Sequence, residues 1–124
     1  VSLFIASILT VNNTCDIKGD KLVGRKTLSI LLGERMSRIL IFCELTAAYA
    51  AALLLAGIGI FPEAVIPFLG AAFLFSIPEL LRMHKRGYSL ETKEASMGSI
   101  AKLFLLFTGA ILLGELIHLI YFSL

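Results

Sequence analysis

Over residues 39–60 the chain carries one charged side chain, Glu44. A helix rises about 1.5 Å per residue and the hydrocarbon core of a bilayer is about 30 Å thick, so this run is long enough to cross it. Two further apolar runs, 64–81 and 99–122, are also long enough. Inside lipid a spanning backbone must satisfy its own N–H and C=O groups, and a continuous apolar run does so as a helix. Composition agrees: 58% of the 124 residues are hydrophobic and 16% are charged, where a soluble domain carries about 25% charged residues. The expected fold class is an all-α membrane protein, a multi-span transmembrane helical bundle.

Charge placement sets the expected topology. All 11 Lys and Arg residues fall in 18–38 or 82–102, and the Phe61-Pro62-Glu63 turn has none. The positive-inside rule puts both charged segments in the cytoplasm, with the turn and the C-terminus outside. The first complete span is expected over 36–60, where a run of alanines lets neighbouring helices approach closely. The second is expected over 64–81. Pro67 lies in its first turn, where a missing N–H costs little, and Pro78 near its end should kink or stop it. Residues 82–98 are polar and read as a short amphipathic helix on the membrane surface. The third span, 99–122, has Gly109 and Gly114 as close-packing positions.

Residues 1–13 are apolar but too few to span. They lack the basic start and cleavage site of a signal peptide. They read as a partial span, and the chain as the C-terminal part of a longer protein, one transmembrane domain over 1–124. Cys15 and Cys43 have no metal-type spacing and read as free thiols. No nucleic-acid motif is present, and topology accounts for the basic residues.

The cytoplasmic segment 14–35 and the residues just before it form the one chemically dense stretch. It runs Asn12-Asn13-Thr14-Cys15-Asp16-Ile17-Lys18-Gly19-Asp20-Lys21, then Gly24-Arg25-Lys26-Thr27-Leu28, then Leu32-Gly33. On a helix, Asn12, Asp16 and Asp20 lie one above another on one face. Two like charges at that spacing repel by about 0.2–0.5 kcal/mol, a cost that a bound cation removes. Mg²⁺ suits the place, because it takes one or two carboxylates together with substrate phosphate oxygens. Lys18, Lys21, Arg25 and Lys26 then offer point charges and a fork to an anionic phosphate. The plain alternative is a solvated loop, and the Asp-x-x-x-Asp spacing alone does not exclude it. Residues 27–32 read as a short interfacial helix with Gly33 as its stop.

The whole string resembles the second aspartate-rich motif of the UbiA superfamily of intramembrane prenyltransferases. Within it, the string is most similar to the 1,4-dihydroxy-2-naphthoate polyprenyltransferases of menaquinone synthesis. Cys15 departs from that pattern, standing where those enzymes usually carry Arg. The resemblance implies a nine-helix fold with this motif after the sixth helix, so that a partial span and three full ones fit its C-terminal part. It also implies transfer of a polyprenyl group from polyprenyl diphosphate to an aromatic acceptor such as dihydroxynaphthoate, at a bacterial cell membrane. Asp16 and Asp20 are then the catalytic metal ligands for Mg²⁺. Lys21, Arg25 and Lys26 bind the diphosphate, and Asn12 and Asn13 support the ligands from behind. The superfamily uses two facing aspartate motifs, so a chain with one is expected to be inactive alone. The competing expectation is a non-enzymatic membrane protein, or an inactive remnant of a prenyltransferase.

Other polar residues inside the spans have plainer readings. Glu115 and His118 share a face in the outer half of the last span and read as a structural polar pair. Glu79 reads as interfacial. Glu44 lies on the aspartate side and is the secondary candidate for a polar cavity wall. Phe42, Tyr49, Phe73, Phe75, Phe104 and Phe107 could line a tunnel for a prenyl chain, or simply pack in the core or against lipid.

Overall fold

The computed structural model describes residues 1–122; Ser123 and Leu124, expected at the outward-facing end, lie outside the described residues. Those residues form five helices and no strand: α1 (Ser2–Cys15), α2 (Ile17–Leu22), α3 (Leu28–Gly57), α4 (Val65–Arg86) and α5 (Lys93–Phe122). Three of them, α3, α4 and α5, are long and apolar enough to cross a membrane, and α1 is a shorter apolar helix. The four apolar helices close a ring: α1 packs on α3, α3 on α4, α4 on α5, and α5 back on α1.

Aromatic rings from all four helices meet at the centre. Phe4 of α1 lies 4.7 Å from Phe107 of α5, and Tyr49 of α3 stands edge-on to Phe107 at 5.1 Å and to Phe73 of α4 at 5.2 Å. Such edge-to-face pairs add about 0.5–1.5 kcal/mol each beyond their buried area. The Tyr49 hydroxyl shares a 2.9 Å hydrogen bond with Ser76, so its polar end is not left unpaired among apolar groups. Elsewhere the long helices turn large apolar side chains outward: Leu74, Phe75, Leu105 and Leu112 are all about two-thirds exposed or more. That pattern fits a lipid-facing surface, where apolar residues need no protein cover.

Local chemistry explains the breaks. Thr27 caps the start of α3, its hydroxyl accepting the Ile30 N–H at 3.3 Å. Gly33 then interrupts the helix at φ 75°, ψ 167°, a region open to glycine and hardly any other residue. The Ser37 hydroxyl donates to the Gly33 carbonyl at 2.9 Å, giving a partner to an oxygen at the break. Pro78 neither stops α4 nor ends it early; the helix runs on to Arg86. The expected amphipathic helix over 82–98 is not formed. Its first half extends α4, residues 87–92 make the connection, and its second half opens α5 at Lys93. Gly87 at φ 81° makes the turn that separates them. Of the two glycines expected at close contacts, Gly114 is one: a Cβ there would lie 2.5 Å from Val65 Cα. Gly109 is not, since nothing lies within 4 Å of where its Cβ would be.

Candidate functional site

The aspartate face is built by an unbroken chain of main-chain bonds. The Asp16 N–H donates to Asn12 O at 3.2 Å, and the Asp20 N–H to Asp16 O at 2.8 Å. Asp16 ends α1 and begins α2 in a helical conformation, φ −94° and ψ 0°, so Asn12, Asp16 and Asp20 keep their one-turn spacing across the join. Each aspartate is held by a cation. Lys93 Nζ donates to Asp16 Oδ2 at 2.6 Å, and Arg25 Nη1 to Asp20 Oδ1 at 3.1 Å. Asp20 is 6% exposed, and its Oδ2 is buried with no hydrogen-bond partner. An orphaned carboxylate oxygen in such a place is costly unless something positive meets it.

The other site residues expected from sequence are spread more widely. Asn12 and Asn13 are half-buried; Lys21 and Lys26 are exposed and pair with neither aspartate. Lys18 lies two residues, or about 200°, around the helix from Asp16, and it lines a separate cleft rather than the aspartate face. Glu44 accepts a hydrogen bond from Thr10 of α1 at 3.0 Å and is tied into the α1–α3 contact. Glu79 accepts from Ser99 at 2.5 Å and from Arg82 at 3.1 Å, binding α4 to the start of α5. Glu115 and His118 are half-buried. Of the aromatics, Phe42, Tyr49 and Phe73 line an apolar pocket of about 80 Å³ between α3 and α4. Phe107 belongs to the central core instead, and Phe75 faces outward.

Lys93 is the residue that sequence reading missed. It lies 77 positions after Asp16, and no local pattern joins them. Its contact follows from the fold. The ends of α1 and α4 and the starts of α3 and α5 come to one end of the bundle. Thr14 and Ser29 hydroxyls there sit 3.3 Å apart, and Arg38 lies over the Tyr88 ring at 5.3 Å. Arg86 adds hydrogen bonds to the Ala95 carbonyl and the Ser99 hydroxyl. Burial pushes the Tyr88 phenol up to about 12, with the Arg38 charge pulling the other way. The two basic segments therefore share one end, and the Glu63 turn lies with His118 and Tyr121 at the other.

The two aspartates are the residues here that could face a divalent cation. Among the described residues no group of three or more His, Cys, Asp or Glu could hold a metal ion. Mg²⁺ asks for less, since one or two carboxylates suffice when a substrate phosphate and waters complete the octahedron. Asp20 Oδ2 is a hard oxygen donor already stripped of other partners, and Asp16 stands one turn away. The residues present could hold a divalent cation only together with ligands from outside the protein, and they form no closed protein cage. No match was found among curated proteins or among solved structures. The sequence model of the UbiA prenyltransferase family matches residues 1–108, and this chain, an integral membrane protein by its three apolar helices, belongs to that family.

Proposed function

We propose that the chain handles the diphosphate in transfer of a polyprenyl group to an aromatic acceptor, 1,4-dihydroxy-2-naphthoate, in menaquinone biosynthesis. The proposed setting is a bacterial cell membrane with residues 14–35 on the cytoplasmic side. The observation that carries the reading is the carboxylate pair one turn apart, with Asp20 Oδ2 buried and unpartnered beside the Arg25 guanidinium. The choice of acceptor rests on the likeness of residues 12–33 to the naphthoate enzymes.

In this reading Asp16 and Asp20 hold Mg²⁺. When bound, it supplies positive charge to the pyrophosphate as the allylic carbon–oxygen bond breaks. Arg25 offers its planar fork to phosphate oxygens, and exposed Lys21 at the end of α2 and Lys26 in the following loop add point charges. These charges act where negative charge develops on the leaving group, which is where they lower a barrier most. Asn12 and Asn13 keep the helix end and its water in order behind the aspartates. Lys93 holds the Asp16 carboxylate in place until substrate arrives. The apolar flanks of α3 to α5 and the surrounding lipid accept the prenyl tail.

The test is turnover of full-length Asp16→Asn and Asp20→Asn proteins across a Mg²⁺ titration, with folding checked by size-exclusion chromatography in detergent. Loss of a carboxylate ligand should lower the rate about a thousandfold, roughly 4 kcal/mol of transition-state stabilisation. Lys26→Ala should be milder, because its contact helps ground and transition states alike. Folded variants with near-normal rates at low Mg²⁺ overturn the metal assignment. Product formed from a hydroxybenzoate but not from the dihydroxynaphthoate overturns the acceptor and leaves the metal assignment standing.

A further inference from the structure

A cleft of about 470 Å³ opens at the charged end of the bundle, between the α1–α2 join, the start of α3 and the 87–92 connection. Lys18, Glu34, Arg38, Arg86, Tyr88 and Glu91 line it. Two of the lining residues carry a buried polar atom without a partner, the Tyr88 hydroxyl and Arg38 Nε. Tyr88 is 6% exposed, so its phenol is a donor held out of water with nothing to donate to. Arg38 is fixed from two sides: its Nη2 pairs with Glu34, and its guanidinium lies over the Tyr88 ring. That leaves the Nε–H as a rigid second donor. Arg86 is anchored to Ser99 at 2.8 Å and brings a full positive charge to the wall. Lys18 contributes a mobile charge from the face of α2 opposite the aspartates.

From this arrangement we infer that the cleft is a phosphate-binding subsite, separate from the aspartate face, for the headgroup of a phospholipid or for free phosphate. Two unsatisfied donors and an ammonium that can swing into place match the several acceptor oxygens of one phosphate group. The location favours the lipid source. The cleft sits at the basic end of a bundle whose flanks are apolar, which is the level of lipid headgroups. The Tyr88 phenol stays protonated at neutral pH and so remains a donor. The inference does not depend on prenyl transfer and survives if that reading fails.

The experiment is native mass spectrometry of the detergent-released protein with phosphatidylglycerol, with diacylglycerol of the same chains, and with inorganic phosphate as competitor. Phosphatidylglycerol should be retained, and diacylglycerol, which has the tails but no phosphate, should not. Tyr88→Phe removes one oxygen and keeps the ring under Arg38; it should weaken phosphatidylglycerol binding about tenfold, the size of a hydrogen bond to a charged group. Lys18→Ala, at an exposed position that leaves packing intact, should weaken it several-fold. Displacement by inorganic phosphate assigns the subsite to phosphate in general, and resistance to it assigns the subsite to the lipid headgroup. Equal retention of the two lipids, or unchanged binding in folded Tyr88→Phe and Lys18→Ala proteins, overturns the inference.

Discussion

Lys93 decides how Asp16 can be used. Its ammonium sits 2.6 Å from Asp16 Oδ2, with the lysine side chain one-third exposed and the carboxylate less so. Partly exposed pairs of this kind contribute on the order of 1 kcal/mol, so the contact is a small part of the fold's stability. Its electrostatic effect on a second cation is larger, because a fixed positive charge beside a carboxylate opposes Mg²⁺ at the same oxygen. Lys93→Met should therefore change the melting temperature little and lower the Mg²⁺ concentration for half-maximal turnover in the full-length protein. A titration showing a higher Mg²⁺ requirement would mean that Lys93 helps bring in the phosphorylated substrate rather than competing with the metal. At this scale the sequence showed the two aspartates and their spacing, because both belong to one helical turn. It hid Lys93 and the Arg38–Tyr88 stack, because those meet only after the connection between α4 and α5 folds back over the end of α1.

Between elements, a single glycine fixes how closely α4 and α5 approach. The Cβ that Gly114→Ala would add meets Val65 Cα at 2.5 Å and its backbone nitrogen at 2.8 Å. Backbone cannot rotate aside as a side chain can, so the two helices must part. Overpacking of this kind costs about 1–3 kcal/mol. Gly109→Ala adds the same methyl group where nothing lies within 4 Å. It should be neutral or stabilising by up to about 1 kcal/mol, because alanine loses less backbone entropy in a helix. Thermal unfolding of both variants in one detergent checks the contrast, and equal effects would mean that α4 and α5 do not meet closely at Gly114. Sequence could not separate these glycines, since both sit on the same apolar helix and differ only in what faces them. The stop expected at Pro78 did not occur, for a related reason. Proline breaks isolated helices, but within a packed apolar bundle the neighbours hold the segment, and α4 continues for two more turns. The Gly33 break was legible, because a glycine after a capped short helix marks a stop through its own backbone freedom.

At the scale of the molecule, charge and fold point the same way. The apolar runs were readable because their length is set by the bilayer and needs no tertiary information. The ring of four helices was not, since neighbours in lipid are chosen by shape rather than by hydrophobic pattern. The fold carries both basic segments to one end, where Asp16 meets Lys93 and Arg38 meets Tyr88. Glu63 lies at the opposite end with His118 and Tyr121. A bundle crossing a membrane must put those ends in different compartments, and the orientation proposed from the positive-inside rule has the basic end in the cytoplasm. Single cysteines replacing Lys26, Glu63 or Glu91, all exposed, test this in a background lacking Cys15 and Cys43. A membrane-impermeant thiol reagent applied to intact cells should label position 63 alone, and positions 26 and 91 should react once the membrane is opened. Labelling of 26 and 91 but not 63 inverts the orientation and would place the aspartate face outside. Labelling of 26 and 63 together would be more serious, because two ends of one bundle cannot share a compartment if α3 crosses the membrane.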